Sequence, residues 1–92
     1  MDIAQYDADV AEVARSNEFI LVIHQNAHLR ERQKDAARFY FAMQGVLPRR
    51  VWSCPVLAGA ILTMMCSNSE VAGAVLSLEA QQWARALGGA KL

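Results

Sequence analysis

An all-α fold, a small bundle of four to five helices, is what this sequence predicts, and three observations predict it. Residues that cap helices (Asp2, Asn26, Ser53, Ser67) recur along the chain. Between them, apolar residues return at a spacing of three to four. Gly45, Pro48 and Gly88-Gly89 then stand where those patterns stop. No linker, repeat or low-complexity tract divides the 92 residues, so they read as one helical domain over 1–92.

The first helix opens at Asp2, with Gln5 placed as a capping-box partner. Ile3, Tyr6, Val10, Val13 and Ala14 gather on one side of it. Phe19 to Ile23 is apolar on every side, and periodicity alone does not separate a buried helix from a buried strand there. A strand needs a partner and no second strand-like run exists, so helix is favoured, with a short extended segment at 19–24 as the alternative. Asn26 is placed to cap a helix over 27–44 that Gly45 ends. Ser53 with Pro55 opens a helix to about Cys66. Ser67 with Glu70 forms a second capping-box pattern, Ser69 being a rival cap, for a last helix running to Leu87.

Composition bounds the function. Hydrophobic residues are 54% and charged residues 20%, enough for a core and more than so short a chain hides, which points to self-association or a protein partner. Nine bases balance nine acids, against the basic excess of a general polyanion binder. The charges are segregated, however. Five acids and one base precede Arg30, while six bases and two acids occupy 30–50. Cys54 and Cys66 fit no metal or redox spacing and read as small buried hydrophobes of a reducing compartment, the cytoplasm. Sixteen alanines, with seven arginines against two lysines, hint at GC-rich coding and so at a bacterium or its phage. Nineteen uncharged residues separate Arg50 from Glu70, but Ser53, Pro55, Ser67, Asn68 and Ser69 trim them to core-helix length, so a membrane span is not expected.

No catalytic constellation is legible. His24 and His28 are four apart and would share a helical face, yet two imidazoles without a third ligand do not make a metal site. There is no GxSxG, no glycine-rich phosphate loop and no Cys/His pair with an orienting acid. A helix-turn-helix around Gly45 would put Pro48 and Pro55 in its recognition helix. Neither enzyme activity, nor metal, nor cofactor is expected.

Two features remain. On the 27–44 helix, Leu29, Ala36, Phe39, Tyr40 and Met43 form the buried stripe, and Phe41 falls opposite among Arg30, Lys34 and Arg38. It is there either an exposed anchor or a ring covered by the 46–52 loop. Aromatic and arginine side chains dominate contact hot spots, so Arg30, Lys34, Arg38, Phe41, Arg49 and Arg50 are the expected partner-binding set. The second feature is Glu79, in the middle of the apolar stripe Val71, Ala72, Val75, Leu76, Trp83, Ala86 and Leu87. A buried carboxylate needs a partner, and Arg32, which intrudes on the buried stripe of its own helix, is the internal candidate.

In size and composition the chain is similar to bacterial secretion cochaperones and phage-encoded inhibitors, a likeness that carries no motif and assigns no residue. The expected function is a non-enzymatic module that binds another protein as inhibitor, adaptor or chaperone, with a homodimer as a further expectation. The alternative is nucleic-acid binding by the basic 30–50 segment.

Overall fold

The computed structural model describes the backbone of residues 2–88 and the side chains of 2–85. Ala86 and Leu87 of the expected final stripe, and Gly89 of the expected stop, lie outside those limits. Six α-helices and one 3₁₀ turn run in the order α1 (Ile3–Arg15), α2 (Asn17–Gln25), the turn Ala27–Arg32, α3 (Gln33–Val46), α4 (Arg49–Trp52), α5 (Pro55–Ser67) and α6 (Ser69–Gly88). Among the described residues there is no strand. Segment 19–24 is therefore helix, and one serine decides it. The Ser16 hydroxyl accepts from the Phe19 amide at 3.2 Å, capping α2, and donates to the Val13 carbonyl at 2.7 Å, closing α1. The kink lets α2 bury Phe19, Val22 and Ile23.

Local chemistry corrects several expected boundaries. Asp2 does cap α1, accepting from the amides of Ala4 and Gln5. The Gln5 side-chain amide, however, donates onward to the Asp9 carboxylate at 2.8 Å rather than back to the cap, so no reciprocal capping box forms. Asn26 makes no cap bond; its side chain donates to the Val22 carbonyl of the preceding helix at 2.8 Å. Without that cap, 27–32 winds as a 3₁₀ turn and α3 begins only at Gln33. Gly45 lies inside α3 and has no left-handed φ. Its role is contact, because a Cβ there would come within 2.9 Å of the Gln82 amide oxygen on α6. Ser53 closes the one-turn α4, its amide donating to the Arg49 carbonyl, and Pro55 enters α5 as the first helical residue, where no donor is missed. At the α5–α6 junction Asn68, rather than Ser67 or Ser69, is the cap, accepting from the amides of Glu70 and Val71. The Ser67 hydroxyl instead donates back to the Thr63 carbonyl.

Helix α3 is the hub, packing against α1, α5 and α6, while α2 lies on α5. Tyr40, Leu29, Met43, Leu62 and Val22 are the largest fully buried side chains. Tyr40 meets Phe19 and Trp52 edge-on at ring distances of 5.6 and 6.2 Å, and its hydroxyl donates to the Trp52 carbonyl at 2.9 Å. Burial, reinforced by Glu18 and opposed by Arg49, pushes its pKa up to about 12. No described helix is both long and apolar enough to cross a membrane.

Candidate functional site

Of the residues expected to bind a partner, Arg30 and Lys34 line one shallow pocket, and Lys34 joins Arg38 in a neighbouring groove between α1 and α3. Arg30 is exposed on the 3₁₀ turn. Arg49 stacks over Trp52, 4.9 Å from the ring centroid, and lies 4.0 Å from Glu18, while Arg50 is exposed beside it on α4. Phe41 is half-buried, and its cover is α1 rather than the 46–52 loop: Tyr6 meets it edge-on at 5.5 Å. Tyr6 also meets Trp83 of α6 at 5.1 Å, so the three rings pin α1, α3 and α6 together.

Glu79 sits at that junction, and its expected pairing with Arg32 is not formed. Arg32 is exposed, bonds the Asp35 carboxylate at 3.1 Å and donates to the Cys66 carbonyl. It is therefore no buried charge. The reason is the 3₁₀ turn, which advances about 20° more per residue than an α-helix and so rotates Arg32 off the stripe of α3. The cation whose charge reaches Glu79 is Arg38, with no ion pair formed between them among the described residues. Glu79 Oε2 is sequestered without a hydrogen-bond partner among the described residues. Burial raises the Glu79 pKa above its ordinary 4.5, and Arg38 opposes the rise. The neighbouring Tyr6 hydroxyl is also raised, first by burial and then by Glu79, with Arg38 pulling it down.

This has a consequence for pH. A carboxyl whose folded pKa is raised stabilises the fold while protonated, and that contribution is lost as pH rises through the folded value. The window lies above 4.5. Thermal melts of the wild type should therefore lose stability from mildly acidic to neutral pH, and Glu79→Gln should flatten that slope. At neutral pH Glu79→Gln is expected to be neutral or stabilising by up to about 1 kcal/mol, since the amide needs no counter-charge.

His24 and His28 do not share a face, because α2 ends between them; His28 instead lies 2.7 Å from the Thr63 hydroxyl. Among the described residues no group of three His, Cys, Asp or Glu side chains is placed to hold a metal. Both cysteines are free and half-buried. Burial raises the Cys66 thiol pKa against the pull of nearby Arg32, with Asp35 reinforcing the rise. At neutral pH a thiol reagent should label native Cys66 roughly tenfold or more slowly than the unfolded chain. Equal rates would contradict this.

The surface that sequence reasoning missed is the outer face of α5. Ala58, Gly59, Leu62 and Met65 are buried, whereas Val56 is 71% exposed, Leu57 48% and Met64 50%, with Ala60 exposed between them. At 100° per residue, positions 56, 57, 60 and 64 lie within one third of the helix circumference. The helix contains no charged residue at all. Its signal was legible in the uncharged run 51–69, read as core. In so small a chain, however, a 13-residue helix cannot be enclosed on every side, so a charge-free, mostly apolar helix leaves an apolar face in water.

Comparison of the chain with models of known protein families, with curated proteins and with solved structures finds no match.

Proposed function

We propose that the chain is a non-enzymatic protein-binding module that acts sterically, as an inhibitor, adaptor or chaperone, on a bacterial protein partner, and that the outer face of α5 is its main contact surface. The observation that carries this is a charge-free helix with Val56, Leu57, Ala60 and Met64 turned to solvent. A contiguous apolar face on a small folded chain favours a polypeptide partner that removes it from water. The two free thiols fit a reducing cytoplasm, and the alanine- and arginine-rich composition fits a bacterial or phage source.

The nucleic-acid reading is disfavoured by the neighbours of its basic residues. Three of the six bases in 30–50 stand near internal acids, Arg32 at Asp35, Arg49 at Glu18 and Arg38 within reach of Glu79, which leaves only part of that cluster free for phosphates. Binding to the partner should accordingly depend weakly on salt.

The test is a double substitution, Val56→Asp with Met64→Asp. Both side chains are at least half exposed, so the melting temperature should change little, while the complex is lost. If the complex survives with the fold intact, α5 is not the contact surface. Mass measurement across concentration shows whether the partner is a second copy, as in a homodimer, or a different protein.

A further inference from the structure

We propose that the groove between α1 and α3 is a second docking site, shaped and charged for an amphipathic helix carrying acidic residues. The proposal rests on the reading of the chain as a protein-binding module but uses a surface separate from α5. The groove holds about 670 Å³. Its floor is small and apolar: Val10, Ala11 and Ala14 from α1, and Ala37 from α3. Ala11 and Ala14 are exposed, so nothing in the described chain covers them.

The geometry matches a helix. Positions 7, 10, 11, 14 and 15 of α1 recur at intervals of three and four, as do 34, 37 and 38 of α3. Two such stripes meeting at alanines leave a furrow into which a third helix settles at the usual 8–10 Å interaxial distance. Six residues of α1, between Tyr6 and Arg15, line it over a run of about 14 Å, which accommodates two to three turns of a partner.

The charges choose the partner. Arg15, Lys34 and Arg38 line the groove against Asp7 and Asp35, and Asp35 is already bonded to Arg32 at 3.1 Å. Arg15 and Lys34 make no ion pair among the described residues. An apolar furrow edged by unpaired cations is complementary to a helix with apolar residues at i, i+3 and i+7 and acids beside them. A single-stranded nucleic acid fits less well, because stacking needs an open aromatic face. The one aromatic lining the groove, Tyr6, is packed against Phe41 and Trp83.

The experiment is a display selection on the immobilised full chain. The library is a 14-residue helical scaffold with leucine fixed at i, i+3 and i+7 and the flanking positions randomised among Glu, Lys and Ser. Selected sequences should be enriched in Glu. Their binding should be abolished by Ala14→Trp, which fills the furrow, and weakened about tenfold or more by Arg15→Glu with Lys34→Glu. It should persist in the Val56→Asp, Met64→Asp variant, so failure here and failure at α5 are separable. Enrichment in Lys, no bias, or binding that survives Ala14→Trp would overturn the proposal. So would a self-association or a single-stranded DNA affinity that Ala14→Trp alone removes, each of which would assign the furrow to another occupant.

Discussion

Tyr40→Ala is expected to cost about 3–5 kcal/mol, enough to unfold much of a domain of this size at physiological temperature. Tyr40 is fully buried on the hub helix and touches aromatic rings from α2 and α4. Deleting the ring therefore removes the contact that holds three helices together, and leaves a cavity that three separate backbones would have to move to fill. Tyr40→Phe separates ring from hydroxyl. It should cost only about 1 kcal/mol, for the bond to the Trp52 carbonyl. Urea melts of the two variants check the division. Equal losses would mean that the hydroxyl, and with it the seating of α4, carries the stability.

The second large effect is expected at Gly59, where α5 packs against Asn26 at the end of α2. A Cβ there would run into the Asn26 side-chain nitrogen and lie 2.6 Å from its Cγ. Asn26 does not swing away freely, because that nitrogen is bonded to the Val22 carbonyl at 2.8 Å. Gly59→Ala sets a gain in helix propensity of up to about 1 kcal/mol against a clash and a broken hydrogen bond. The clash should win, for a net loss of about 1–3 kcal/mol. With Asn26→Ala in the background the obstacle is gone, and Gly59→Ala should become neutral or stabilising. A strictly additive double mutant would contradict the close approach.

Legibility followed the range of the interaction that decides each feature. Asp2 caps the first helix from two and three residues away, and its identity was enough to place it. Near the last helix, Ser67, Asn68 and Ser69 compete within one turn. The choice fell to Asn68 because the Ser67 hydroxyl found a carbonyl in the helix behind it. Asn26 was misread for the same reason. Phe19–Ile23 lacks any period, so its state was decided by Ser16, a residue outside the run. The conflict at Glu79 was visible in its own helix, yet the cation whose charge reaches it was not, since an error of one 3₁₀ turn reassigns Arg32 from core to surface and leaves Arg38 in that place. The α5 face was missed for a different reason. Apolar residues signal burial by type, and only the geometry of the assembled bundle tells which of them lack cover.

If a partner sits on this uncovered face, site-specific photo-crosslinking reads it most directly. A photoactivatable residue placed at Ala60, in the middle of the exposed stripe, should give one discrete adduct in the producing cell. The adduct should disappear when Val56→Asp and Met64→Asp are added, and should be absent when the same probe stands at exposed Ser77 on α6. Adducts of equal yield from positions 60 and 77, or none from either, would contradict the account.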